Sequence, residues 1–250
     1  MKRLLSIFLL CPLLLFACSS KPAHYKLKIK AEYPHDSKAY TQGLFWHDGT
    51  LFETTGLHGQ SSLRTVDLGT GKSIRKVSFS RKYFAEGSTV IGDKLYILTW
   101  QEHIAFIYDA KTLNYLKAYS YPREGWGLTT DGKSLIASDG SSRIYFLSPD
   151  FKLERTVKVS ADDRPLSWLN ELEYIDGKIW ANIYTTDTIA IIDPRDGNVE
   201  AFIDCSGLLP DRLRTSDTDV LNGIAYNPAD GKIYLTGKNW KRLYEIELVK

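Results

Sequence analysis

A phrase of about fifteen residues returns five times in this chain, and that repetition constrains its fold more than any other feature. The copies are QGLFWHDGTLFETTG from Gln42, EGSTVIGDKLYILTW from Glu86, WGLTTDGKSLIASDG from Trp126, NELEYIDGKIWANIY from Asn170 and NGIAYNPADGKIYLTG from Asn222. Each reads as a strand, a turn built on Asp-Gly or a variant of it, and a second strand. Successive copies start 44, 40, 44 and 52 residues apart. A hairpin repeated at that period predicts a β-propeller, here of five blades. The arrangement brings equivalent positions of distant repeats around one central channel.

Each unit continues with a third run (LRTVD from Leu63, IAFIYD from Ile104, RIYFLSP from Arg143, TIAIIDP from Thr188, RLYEIEL from Arg242). Four units add a fourth (IRKVSFS from Ile74, YLKAYSY from Tyr115, LERTVKV from Leu153, VEAFID from Val199). These β-branched and aromatic segments, bounded by Gly, Asp and Pro, read as strands. No long stretch has helical periodicity. The fifth unit lacks a fourth run. The alternating segment Tyr25–Lys30 is expected to pair outside Arg242–Leu248 and close the ring, hiding an edge open to aggregation.

The chain has 250 residues, the size of one such domain. A net charge of +2 with dispersed basic residues gives no reason to expect a nucleic-acid partner. Lys2 and Arg3 precede an apolar run from Leu4 to Phe16, followed by Ala17 and Cys18. This has the layout of a signal peptide, over a run too short for a comfortable membrane span. Cys18 after Ala17 resembles a bacterial lipobox, whose Cys is lipidated; a plain signal peptide with a coincidental Cys is the alternative. The expectation is a signal peptide over 1–17, a tether over 18–24 and a single propeller domain over 25–250. The protein would be lipid-anchored at Cys18 in a bacterial cell envelope, at the periplasmic face or outer membrane, and monomeric. Cys205 is the one thiol left in the folded body, so no internal disulfide is expected, and it reads as a small buried apolar residue rather than a nucleophile.

In a propeller the first strand of each unit is innermost, and its opening residue lies at the channel mouth. Those residues are Gln42, Glu86, Trp126, Asn170 and Asn222, with Glu124 and Glu171 adjacent. Second strands end at Trp100 and Tyr184, Lys238 follows the last of them, and Tyr40 and Phe84 lie two residues before first-strand openings. Convergent amides, carboxylates, a lysine and aromatic rings suit a binding site. Alternatively, each polar residue merely caps a strand end. There is no P-loop, GxGxxG or GxSxG, and no Cys/His set with zinc spacing.

The phrases YTQGL at Tyr40, YFAEG at Tyr83, LYILTWQE at Leu95, EGWGLTTDG at Glu124, LNELEY at Leu169, DVLNGIAY at Asp219 and LTGKNW at Leu235, with FETTGLHGQSSLRTVDLGTGK at Phe52 and SDGSS at Ser138, resemble the glutaminyl-peptide cyclotransferases of plant and bacterial type. The resemblance runs in order from about Tyr40 to Ile246. It implies a five-bladed propeller that cyclises an N-terminal glutamine to pyroglutamate with loss of ammonia. Motif by motif, it assigns functional roles to Gln42, Glu86, Phe84, Trp100, Trp126, Asn170 and Lys238. The chain has Tyr184 where the family usually has Trp, and Ala85 where it usually has Gly.

The chemistry fits these residues. The α-amine must lose a proton as it attacks the side-chain amide, and the leaving nitrogen must gain one. One carboxylate, Glu86, can serve as base and then acid. Gln42, Asn170 or Lys238 can supply donors to the oxyanion. Tyr40, Phe84, Trp100, Trp126 and Tyr184, with Glu124 and Asn222, would hold the substrate, a peptide or protein with N-terminal glutamine. The scheme calls for no metal or other cofactor. Two alternatives stand beside it. One is a calcium-dependent lactonase-type hydrolase using Glu86, Asn170, Glu171 and Asn222. The other is a non-catalytic surface binding propeller.

Overall fold

In a computed structural model that describes residues 21–250, the chain is all-β, and no α-helix occurs among the described residues. The strands in chain order are β1 (Ala23–Pro34), β2 (Thr41–His47), β3 (Thr50–Thr55), β4 (Ser62–Val66), β5 (Ser73–Ser78), β6 (Ala85–Ile91), β7 (Lys94–Thr99), β8 (Ile104–Asp109) and β9 (Tyr115–Ser120). They continue as β10 (Leu128–Thr130), β11 (Leu135–Ser138), β12 (Arg143–Leu147), β13 (Leu153–Lys158), β14 (Ser160–Ala161), β15 (Arg164–Pro165), β16 (Leu169–Ile175), β17 (Lys178–Ile183), β18 (Thr188–Ile192) and β19 (Val199–Asp204). The last three are β20 (Leu221–Asn227), β21 (Lys232–Gly237) and β22 (Arg242–Val249).

Strands β2–β5, β6–β9 and β10–β13 each form a four-stranded antiparallel sheet in sequence order. Strands β16–β19 and the group β1-β22-β21-β20 share one eight-stranded sheet, joined where β1 pairs parallel to β19. β1 also pairs antiparallel with β22, Leu27 opposite Leu248. It begins at Ala23 rather than Tyr25, because Ala23 and His24 pair in parallel with Ala201 and Phe202 of β19, where the His24 ring stacks on Phe202 at 5.8 Å, so the strand takes in the last two residues of the expected tether. The small β14–β15 hairpin, not foreseen from the sequence, leads into β16.

The hairpin turns follow from local chemistry. Asp48-Gly49 and Asp176-Gly177 both take positive φ (45° and 72°, 48° and 80°), as a two-residue turn matching strand twist requires. Within each unit the first two strands are largely buried on both faces, whereas β5, β9 and β13 are mostly exposed. Alternation divides the inner strands between neighbours. Leu44 packs with Ala225, Tyr234 and Leu243 of the last unit, and the adjacent Phe45 packs with Val90 and Leu95 of the second. Five apolar clusters lie between successive units, including one between the last and the first. The arrangement of sheets is propeller-like.

A buried ionic network ties the chain after β1 to the first unit. Glu53 accepts from Arg64 Nε and Nη2 at 2.9 and 2.7 Å and from Thr41 Oγ1 at 2.6 Å. It also meets His35 Nε2 at 3.0 Å, while His35 Nδ1 lies 2.8 Å from the Trp240 carbonyl. Burial pushes the Glu53 carboxyl up, but Arg64 and then His35 outweigh it and hold it well below the usual carboxylate range.

Candidate active site

Register breaks place the site residues. The pairing of first and second strands is interrupted at Gln42 between Thr41 and Gly43, at Glu86-Gly87, at Asn170-Glu171 and at Asn222-Gly223. Such bulges re-aim side chains and free backbone groups from the ladder. The neighbouring unit satisfies those groups at all five junctions. Thr54 Oγ1 donates to the Glu86 carbonyl at 2.7 Å, Gly87 N–H to the Trp126 carbonyl at 2.7 Å, and Ser138 Oγ to the Asn170 carbonyl at 2.8 Å. Gly223 N–H donates to Asn182 Oδ1 at 3.0 Å, and Asn222 Nδ2 to the Thr41 carbonyl at 2.9 Å. Strands approach so closely here that a Cβ on Gly43 would lie 2.8 Å from the Ser88 nitrogen. In the fourth unit Glu171 stands where the first, second, third and fifth have glycine. Its two carboxylate oxygens accept the Leu44 and Ile224 N–H groups at 3.3 and 2.9 Å.

Of the bulged residues, Gln42, Glu86 and Asn170 converge on a cavity of about 350 Å³ lined also by Tyr40, Phe84, Trp100, Trp126, Trp168, Tyr184 and Lys238. Nine of these ten were expected at the channel mouth from sequence. Glu86 is 4% exposed. Burial raises its carboxyl well above the ordinary carboxylate range; Lys238 opposes the shift, and Glu102 and Glu124 add to it. Gln42 Nε2 donates to Glu86 Oε1 at 3.0 Å. The ammonium of Lys238 lies 4.7 Å from the Tyr40 ring centroid and 5.0 Å from that of Tyr184. Burial lowers its pKa, against Glu86 and Asp219. Asn170 Oδ1 is buried without a hydrogen-bond partner among the described residues.

A model of the family described as glutamine cyclotransferase matches residues 4–248. The chain belongs to this glutamine cyclotransferase family. A glutaminyl-peptide cyclotransferase of Arabidopsis thaliana is 41% identical over 228 residues, spanning 89% of this chain and 71% of that protein. The crystal structure of Myxococcus xanthus glutaminyl cyclase superposes with a TM-score of 0.86 at 36% identity, over 91% of this chain and 98% of that one. The WD40 β-propeller domain of Doa1 (TM-score 0.50, 12% identity, 82% of this chain and 62% of that one) shares the fold alone.

Within this family frame, two residues expected to touch substrate stand behind the cavity wall. Asn222 is fully buried and spends its Nδ2 on the Thr41 carbonyl and, at 3.3 Å, on Gln42 Oε1. Glu124 Oε2 accepts from the indole nitrogens of Trp100 and Trp126 at 3.0 and 3.2 Å and so fixes two aromatic walls. Of the residues named for a calcium site, Glu171 commits both oxygens to backbone N–H groups, and Asn222 commits its Nδ2 to the Thr41 carbonyl. Among the described residues no three His, Cys, Asp or Glu side chains gather as metal ligands would. Cys205 is buried, and burial pushes its thiol up. Cys18 lies outside the described residues.

Sequence reasoning missed Trp168 and Asp219. Asp219 Oδ2 accepts the Tyr40 hydroxyl at 2.8 Å, and burial together with this carboxylate raises the Tyr40 pKa. Trp168 had a visible signal, a tryptophan immediately before the LNELEY phrase.

Proposed function

We propose that the chain is a glutaminyl-peptide cyclotransferase that converts the N-terminal glutamine of peptides to pyroglutamate with release of ammonia, and that Glu86 carries the proton. The supporting observation is a buried carboxyl with a raised pKa at the inner end of an aromatic cavity, one oxygen held by Gln42. The substrate α-amine attacks its own side-chain carbonyl carbon and passes a proton to Glu86. The C–N bond to the amide nitrogen then breaks as Glu86 returns that proton, and ammonia leaves a five-membered lactam. A carboxyl with a raised pKa suits both steps. Gln42 is a positioning residue, because its amide is engaged by Glu86 at one end and Asn222 at the other. Asn170 and Lys238 are then the donors for the oxyanion. The aromatic walls hold the substrate folded for attack.

The fold reading carried with this function is a closed five-bladed propeller. It is supported by the five inter-unit clusters and by the pairing of β1 with β22. For the N-terminus, the reading is a signal peptide over 1–17 and a lipid anchor at Cys18 in a bacterial envelope, resting on the sequence pattern alone. Loss of radiolabelled fatty-acid incorporation in Cys18→Ser would support the anchor, and no incorporation in the wild type would refute it.

The test of function is ammonia release from a Gln-initiated dipeptide by protein lacking residues 1–18, with EDTA and beside Glu86→Gln. Release that survives EDTA and is lost in the variant is expected. A folded protein that releases no ammonia from any such peptide would refute the reading.

A further inference from the structure

The cavity has two chemically different ends. Gln42, Glu86, Asn170 and Lys238, all buried, form the polar inner end, whereas Trp168 is 57% exposed. A tryptophan this exposed contributes little to the core. It also sits at φ 67°, in the left-handed region where a bulky side chain is strained. Two backbone hydrogen bonds hold it there: its N–H donates to the Gly140 carbonyl at 2.7 Å, and its carbonyl accepts the Tyr184 N–H at 2.8 Å. The ring lies 6.1 Å from Trp126 and 6.2 Å from Tyr184, so it extends the aromatic wall outward. Other bulky residues at positive φ, such as Leu113 and Phe151, pack into apolar clusters, whereas Trp168 presents its ring at the rim of the cavity.

We propose that Trp168 forms the subsite for the side chain that follows the N-terminal glutamine, and that it selects peptides with an apolar or aromatic second residue. The inference rests on the cyclotransferase reading. Only one residue separates Trp168 from Asn170 at the reaction centre. Two residues of chain span at most about 7 Å, which is the scale of the step from a bound glutamine to its neighbour's side chain. The rings flanking Trp168 are Trp126 and Tyr184, and an aromatic surface of this kind favours apolar and aromatic groups over anionic ones.

The experiment compares kcat/KM for ammonia release from Gln-Phe-amide, Gln-Leu-amide and Gln-Gly-amide in the wild type, Trp168→Gly and Trp168→Phe. The wild type should prefer Gln-Phe-amide to Gln-Gly-amide by roughly tenfold. Trp168→Gly should bring the ratio close to one, and Trp168→Phe should keep most of it. Trp168→Gly should keep a single cooperative thermal transition, because glycine adopts this φ without strain. A purely structural role would leave the ratio intact. A ratio unchanged by Trp168→Gly, or no preference in a wild type that turns over Gln-Gly-amide, overturns the subsite and leaves the cyclotransferase reading standing. No turnover of any of the three overturns both.

Discussion

The Gln42 amide and the Glu86 carboxylate, 44 positions apart in sequence, meet at 3.0 Å with the amide as donor. The direction of that bond is set further back. The Thr41 carbonyl can only accept, so the Asn222 amide must turn its Nδ2 toward it. The same nitrogen meets Gln42 Oε1, which leaves Gln42 Nε2 to face Glu86. Donation to the carboxylate favours its charged form. Asn222→Asp removes the donor at the start of this chain. Glu86 must be ionised to act as base, so kcat/KM falls as pH drops through its raised pKa. The acid limb of a pH–rate profile should therefore lie well above pH 4.5 in the wild type and higher still in Asn222→Asp.

Lys238 acts on the same carboxyl with opposite sign to burial. Lys238→Met should move the acid limb to higher pH and lower kcat by on the order of 10²-fold, as loss of an oxyanion donor does. If the variant lost only affinity, with kcat and the limb unchanged, Lys238 would be a binding residue alone.

The Glu53–Arg64 pair is buried, so removing one partner strands a charge. Arg64→Met should cost about 3–5 kcal/mol in urea unfolding. Because the folded Glu53 pKa is depressed, its stabilisation is present above the unfolded carboxylate pKa and is lost as pH falls toward the folded value. The wild type should therefore lose stability on acidification below about pH 4.5, and Arg64→Met should lose less.

Glu173 shows the reverse sign. It accepts the Tyr226 N–H at 2.9 Å and the Thr129 hydroxyl at 3.3 Å, and burial raises its pKa to about 8. Its protonated form stabilises the fold below the unfolded pKa, and that contribution is lost as pH rises to about 8. Glu173→Gln keeps the neutral shape. Thermal midpoints at pH 5 and pH 9 should differ less in this variant than in the wild type.

Deleting residues 25–32 removes most of β1 and leaves both β22 and β19 unpaired along an edge. The product should be insoluble or lack native circular dichroism. A stable monomer with the native spectrum would show that β1 is dispensable.

Much of the site was legible because the repeat alone aligns Gln42, Glu86, Trp126, Asn170 and Asn222 at equivalent positions. The bulges were not legible, since a register break is a property of two paired strands and leaves no mark on either alone. For the same reason the sequence reads Asn222 and Glu124 as substrate contacts and does not show that their side chains bond to Gln42 and to two indoles. Trp168 stands next to the LNELEY phrase, but its exposure and left-handed φ are not reported by residue type.

The sequence by itself determined the strands, their turns and the period that carries Gln42, Glu86, Trp126 and Asn170 to a shared cavity, because alternation and turn chemistry act within a few residues. Only the tertiary structure decided which of those residues touch and which end of each amide points where. It also decided which way each buried carboxyl shifts, with Glu53 driven down by Arg64 and His35 against burial, and Glu86, Glu171 and Glu173 driven up by burial. The physical reason is that hydrogen-bond direction and desolvation are set by atoms brought together from distant parts of the chain.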